Sequence, residues 1–229
     1  MDGVFEQIIE KKQTELLSFY NCFFKDEEEE KQFLNQAYQS EENNVCKSWQ
    51  MVLQIERFVT LANRIDEIYP PRDGLRVLFI RICMESMASL GGYKFKSFCE
   101  IFEGCFSIEA KECFQKGIRL VGYRDSKGLY HNYSQECSIK DLLYIIKIAR
   151  DNTVHDGDFW STQIFAMDEK DDAKWCCEVT SNDSKGLFGI ISSKDNPNVF
   201  DFTTTISFGE FCHFFTLACI KYVEGCMDV

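Results

Sequence analysis

Apolar residues along most of the chain recur at every third or fourth position, which is the spacing of one face of an α-helix. Residues 44–68 keep this spacing over the longest stretch, and residues 73–90 carry so many apolar positions that they indicate a largely buried helix. The same spacing, together with helix-capping signals, predicts five more helical regions: 3–20, from the acidic run 26–31 onward, 95–120 as two shorter helices around Gly104, Ser138 to His155, and Ser207 to about Glu224.

The last third of the chain shows a second pattern. Residues 161–167, 174–181, 187–192 and 199–206 are β-like segments separated by turns rich in Asp, Asn, Ser and Gly. They predict a small antiparallel sheet or meander inserted between two helices. Residues 122–135 are polar and contain Gly128, so a loop is expected there.

These elements predict a mainly α protein, a helical bundle with a small antiparallel β insertion before the last helix. Residues 1–43 are expected to form acidic N-terminal helices that pack on the bundle. Residues 44–229 are expected to form the main domain, with the β-like insertion at 161–206. A chain of 229 residues can bury a sizeable core, and its 21 Phe are most simply interpreted as core residues.

Charge is unevenly distributed along the chain, whose net charge is −12. Residues 1–56 carry −7, residues 57–150 carry +4 and residues 151–229 carry −9. All eight Arg lie in the middle block, so the middle helices can present a positive face to phosphate groups. The alternative, which the sequence leaves open, is that these arginines pair with acidic neighbours on a solvated surface.

The cysteines and the N-terminal residues indicate the cellular compartment in which the protein is expected. None of the twelve Cys forms a CxxC pair, and the first residues carry neither a basic region nor an apolar segment of a signal peptide. No apolar run reaches membrane-spanning length, so a cytoplasmic protein with reduced thiols is expected. Cys212, Cys219 and Cys226 recur every seven residues, a spacing that allows a dimer seam or a metal site. Core packing is the preferred interpretation, because such cysteines are more often small core residues.

Candidate chemistry is concentrated at the end of the helix that begins at Ser138. An apolar run there ends in Arg150, Asp151, Asn152, Thr153, Val154 and His155. Arg150 and His155 are five residues apart, so on a regular helix they point about 140° away from each other. They converge only if the helix loosens or a second copy faces the first. The structural alternative is a plain helix end, with His155 beside the negative end of the helix dipole.

Arg150, the polar Asp151 and His155 resemble the motif of the HEPN superfamily (higher eukaryotes and prokaryotes nucleotide-binding), whose ribonuclease members carry Arg, a polar residue, three further residues and His. The resemblance covers residues 44–157 and the last helix. It implies a HEPN-like bundle and a metal-independent, cofactor-free endoribonuclease that dimerises to build a composite site. It also implies a role as a toxin or antiviral defence effector.

The resemblance implies RNA cleavage by 2′-OH attack, in which His155 acts as acid or base and Arg150 stabilises the phosphate charge. Asp151 or Asn152 would orient these two residues, and no metal ligand is expected. The candidate RNA contacts are Arg119, Arg124 and Lys147. Expected partners are RNA, a second copy of the chain, and an antitoxin or regulatory protein. The other hypothesis is a non-catalytic HEPN-like interaction module whose acidic ends bind a basic protein.

Overall fold

The computed structural model describes residues 12–68, 73–155, 165–166, 173–179 and 198–227, with the side chains of 66, 152–155, 173–179 and 198 outside that description. The described chain is mainly helical with one small antiparallel sheet, so the predicted fold class is confirmed. The helices are α1 (12–20), α2 (Glu27–Glu42), α3 (Ser48–Arg64, continued by a 3-10 turn at Ile65–Glu67), α4 (Asp73–Leu90), α5 (Phe95–Cys105), α6 (Ile108–Gly117), α7 (Ile139–His155) and α8 (Phe208–Met227).

Side-chain caps fix where several helices begin, as the sequence predicts. Asp26 accepts a hydrogen bond from the backbone N–H of Glu29 at 3.0 Å and starts α2. Ser207 and Glu210 form a reciprocal capping box at α8, and Ser138 forms the same motif at α7. Helix α4 has the predicted bounds, whereas α3 begins four residues after the predicted start.

The sheet contains two strands that the sequence pattern does not predict. Strands β3 (Ala173–Val179) and β4 (Asn198–Thr204) lie in two of the β-like segments, and the segments at 161–167 and 187–192 fall almost wholly outside the described residues. Two more strands, β1 (Ile118–Arg124) and β2 (Tyr130–Glu136), form an antiparallel hairpin, and the sheet order is β2-β1-β4-β3.

The loop prediction for residues 122–135 is therefore wrong. Most side chains of β2 are exposed, because it is an edge strand, and so it lacks the apolar alternation of a half-buried strand. The turn carries the clearer signal. Gly128 has φ of +77°, and the Asp125 carboxylate accepts hydrogen bonds from the backbone N–H groups of Lys127 and Leu129.

Aromatic side chains fill much of the core, as the Phe content predicts. Phe98, Phe102, Phe114 and Phe215 are fully buried on α5, α6 and α8. Phe102 stacks on Phe98 at 5.1 Å between ring centroids and meets Phe215 edge-on at 5.7 Å. Phe114 on α6 meets Phe211 on α8 at 6.0 Å, so ring contacts pack both α5 and α6 against α8.

Helix α7, which carries the candidate motif, packs chiefly on α4 and also contacts α5, α6 and β3. Its apolar side is buried through Leu142, Ile145, Ile146 and Ala149. Among the described residues, no helix combines the length and apolarity needed to cross a bilayer. The cytoplasmic location and the division at residue 43 stay predictions.

Candidate functional site

The candidate site begins with Arg150 near the C-terminal end of α7. Because Ile146 and Ala149 bury the neighbouring positions against the bundle, Arg150 is held close to the core and its side chain is only 25% exposed. Its Nη1 donates a hydrogen bond to Asp151 Oδ1 at 3.0 Å. Its Nη2 lies 3.8 Å from Glu85 Oε2 on α4. The expected contact between Asp151 and Arg150 is therefore present, and a second carboxylate holds Arg150 from another helix.

His155 and Asn152 are placed only through their backbone. Helix α7 continues through His155, so the helix has not ended between Arg150 and His155. A regular helix turns these two residues about 140° apart. The side chains of Asn152 and His155 lie outside the described part of the chain.

Lys147 lies one helical turn before Asp151 on the same side of α7. Its Nζ is 3.9 Å from Asp151 Oδ2 and 5.4 Å from the ring centroid of Tyr144. Asp151 thus lies between two cations, Lys147 and Arg150. Lys147, a candidate RNA contact, therefore lies beside Arg150 and Asp151 of the motif.

Arg81 and Glu85 on α4 belong to this cluster, although the sequence reasoning did not identify them. Arg81 Nη2 is 3.2 Å from Glu85 Oε1, and the Arg81 guanidinium lies 3.0 Å from the ring centroid of Phe95. The Arg81 side chain is only 7% exposed. One signal was available in the sequence: Arg81 and Glu85 are a charged i, i+4 pair inside an otherwise apolar helix.

The environment of Arg81 disfavours its charge. Burial lowers the pKa of Arg81, the nearby Arg150 lowers it further, and Glu85 opposes both effects. The neighbouring Cys99 thiol has its pKa raised to about 11 by burial, against a smaller lowering effect of Arg81. Cys99 is therefore a neutral thiol near pH 7, and the anions that face the two arginines are Glu85 and Asp151.

The other two candidate RNA contacts lie on β1, separate in sequence from the motif. Arg119 donates a hydrogen bond to Ser134 Oγ at 3.0 Å and lies 3.6 Å from a Glu136 carboxylate oxygen across the hairpin. Arg124 is exposed at the far end of β1. Carboxylate pairing is common among the described arginines. Arg64 and Arg119 pair on the surface, as the alternative that the sequence left open expects. Arg76, Arg81 and Arg150 pair with carboxylates while their own side chains are largely buried.

The hairpin holds an imidazole beside a carboxylate. His131 Nε2 is 3.0 Å from Asp125 Oδ2, and the His131 ring stacks on Tyr123 with 4.8 Å between centroids. The hydrogen bond to His131 is the largest cause of a lowered pKa at Asp125. The same carboxylate closes the turn through its other oxygen, so the pair contributes to the local structure of the hairpin.

Two of the cysteines on α8 lie in the core, as the packing interpretation predicts. Cys212 is 4% exposed, Cys219 is fully buried, and Cys226 is partly buried. Within the described part of the chain, no group of three or more His, Cys, Asp or Glu side chains is arranged to hold a metal ion.

Comparison with known proteins identifies no similar protein. No protein-family model, curated protein or solved structure matches the chain. The HEPN resemblance therefore rests on Arg150, Asp151 and His155 and on the helical setting of that motif.

Proposed function

We propose that the protein is a metal-independent endoribonuclease whose active site forms around Arg150 and His155. The observation that supports this best is the placement of Arg150. Arg150 donates a hydrogen bond to Asp151 at 3.0 Å and faces Glu85. Lys147 lies on the other side of Asp151, so the four residues form a small cluster of mixed charge near the C-terminal end of α7. An arginine held by its neighbours is pre-oriented for a phosphate group and loses little entropy on binding it.

The chemistry is internal transfer of a phosphodiester. One His155 imidazole accepts the proton of the ribose 2′-OH, the 2′-oxygen bonds to phosphorus, and the bond from phosphorus to the 5′-oxygen breaks. A second imidazole gives a proton to the departing 5′-oxygen, so the products are a 2′,3′-cyclic phosphate and a 5′-hydroxyl. Arg150 stabilises the extra negative charge on the non-bridging oxygens in the transition state.

A homodimer supplies the second imidazole. A regular helix separates positions 150 and 155 by about 140° around its axis, so the spacing by itself does not bring the His155 imidazole to the guanidinium of the same copy. A symmetric interface at the end of α7 would set the two motifs opposite each other and make a composite cleft. Such an assembly suits a toxin or antiviral defence effector, with an antitoxin or regulatory protein as a further partner.

The direct test is RNA cleavage in EDTA by the wild type and by His155→Ala. Loss of cleavage by a factor of about 100 or more is expected, because the variant lacks the group that transfers protons. Arg64→Ala is a matched control, since Arg64 forms an exposed pair with Glu67 at the end of α3. Cleavage that is unchanged in His155→Ala contradicts the proposal.

Mixing two inactive chains tests the composite site. Arg150→Ala and His155→Ala are purified separately and combined, and cleavage is measured together with mass by light scattering. Partial recovery in a dimeric mixture is expected, because one interface then brings an intact Arg150 to an intact His155. A monomer with full wild-type activity contradicts the dimer.

A non-catalytic role is the second candidate. Its supporting observation is the acidic first turn of α2, where Glu27, Glu28 and Glu29 are exposed, together with the carboxylate pairing of most described arginines. Such a surface suits a basic protein partner more than RNA. A pull-down at native salt separates the two candidates: a chain that holds a basic partner and never cleaves RNA supports this one.

A further inference from the structure

Arg81 is a cation that the fold buries at a cost in free energy. Its side chain is 7% exposed, and its Nε and Nη1 atoms are buried without a hydrogen-bond partner among the described residues. Its ion-pair partner, Glu85, is itself 37% exposed. A buried guanidinium with unsatisfied donors is unfavourable, and an apolar residue of similar size would avoid that cost. Such a group indicates a binding function.

The second observation is that Glu85 faces two guanidinium groups at once. One of its oxygens is 3.2 Å from Arg81 Nη2, and the other is 3.8 Å from Arg150 Nη2. The Arg150 Nε is also buried and unpartnered within the described chain. The two arginines, from neighbouring helices, thus face the two oxygens of one carboxylate. The same arrangement would suit two non-bridging oxygens of a phosphate.

We infer that Arg81 and Arg150 form an oxyanion site for a phosphodiester group of RNA, and that Glu85 occupies this site in the free protein. The inference deepens the proposed function and rests on it for the identity of the ligand. Glu85 is exposed enough to swing into solvent when a phosphate replaces it, and the phosphate then meets Arg81, Arg150 and the neighbouring Lys147.

Displacement of Glu85 gives the site a defined resting state. With its carboxylate between the arginines, the charge of Arg81 is balanced and the buried cluster is stable without RNA. A phosphodiester that takes its place gains hydrogen bonds from donors that are unsatisfied in the free protein. Loss of the Glu85 charge should therefore strengthen RNA binding by more than the loss of an equally charged surface carboxylate outside the cluster.

The test measures binding and not cleavage. A 2′-O-methyl RNA oligonucleotide lacks the attacking hydroxyl, so its affinity can be measured by fluorescence anisotropy on the full chain. Glu85→Gln is expected to bind it about three-fold or more tightly, because a partly exposed competing ion pair is removed. Arg81→Met is expected to bind it about ten-fold or more weakly and with a shallower dependence on salt.

Matched controls come from the exposed pair on α3 and the 3-10 turn after it, whose members are Arg64 and Glu67. Glu67→Gln and Arg64→Met change net charge in the same way as the test variants but lie outside the cluster. Arg81→Lys keeps the charge and loses the planar fork, so it should also bind weakly, and it replaces Arg81→Met if that variant fails to fold by circular dichroism.

The outcomes separate the site from the proposed nuclease. Tighter binding by Glu85→Gln and weaker binding by Arg81→Lys, beyond the shifts of the controls, support the site even if no variant of the chain cleaves RNA. Shifts no larger than those of the controls overturn the site, even if the wild type cleaves RNA through His155. An oligonucleotide that the wild type does not bind overturns it as well.

Discussion

Removal of the Asp73 carboxylate should destabilise the fold more than any single surface change. Asp73 begins α4, is 5% exposed and joins two distant parts of the chain. Its Oδ1 accepts from Arg76 Nη1 at 3.0 Å, and its Oδ2 accepts from the backbone N–H of Phe165 at 2.9 Å. Asp73→Ala leaves a partly buried cation and a buried N–H group without this acceptor.

The expected loss follows from those two contacts. A hydrogen bond to a charged group contributes about 1.5–3 kcal/mol, and a buried N–H group left unsatisfied costs about 1–3 kcal/mol. Together they lower the free energy of unfolding by about 3–5 kcal/mol, which is also the usual effect of breaking a buried ion pair. In a chain of this length the melting temperature should fall by about 6–20 °C.

Urea unfolding followed by circular dichroism measures the loss for Asp73→Ala and Asp73→Asn. The Asn variant keeps one acceptor oxygen, so its loss should be smaller, about 1–3 kcal/mol. Glu112→Ala is the control, because Glu112 forms an exposed pair with Lys116 and should change stability by less than about 1 kcal/mol. A loss below about 1 kcal/mol in Asp73→Ala, with unaltered hydrogen exchange at the Phe165 amide, would refute the reasoning.

Three further predictions follow from the core, the hairpin and the thiols. Phe102→Ala should lower the free energy of unfolding by about 3–5 kcal/mol in the same urea assay, because Phe102 is fully buried between aromatic rings; a loss under about 1 kcal/mol would contradict its place in the core. The pKa of Asp125, measured by NMR titration, should lie below its ordinary 3.8 and rise in His131→Ala. Because the folded pKa is the lower one, the stability gained from ionised Asp125 is present above about pH 4 and is lost as the pH falls through the folded pKa. An equal pKa in both proteins would argue against the contact. Iodoacetamide should label the exposed Cys22 in the native protein and reach Cys219, whose thiol pKa is raised well above its ordinary value by burial, only in denaturant; mass spectrometry of the peptides checks the order.

Local physics in the sequence determined the helices. The bounds of α4 follow from its many apolar positions, and the starts of α7 and α8 follow from Ser138 and Ser207, whose hydroxyls accept from backbone N–H groups three residues later. Helical spacing and capping involve residues at most a few positions apart. A single sequence therefore carries these elements almost completely.

Long-range contacts decided the sheet. Strand β2 presents polar side chains on both faces and becomes a strand because β1 pairs with it, from Arg119 opposite Glu136 to Arg124 opposite Tyr130. Strand β1 in turn pairs with β4, about eighty residues later along the chain. Backbone hydrogen bonds between segments so far apart along the chain have little effect on the spacing of apolar residues within either segment.

The candidate site divides in the same way. The sequence identified Arg150, Asp151 and His155, because a polar motif at the end of an apolar helix is visible locally. Glu85 meets Arg81 within α4, and only the packing of α7 on α4 brings the same carboxylate within 3.8 Å of Arg150. Within α4 the sequence shows only that Arg81 has a charged i, i+4 partner, Glu85. Its buried, partly unsatisfied guanidinium is a property of three helices meeting, and no local pattern encodes that meeting.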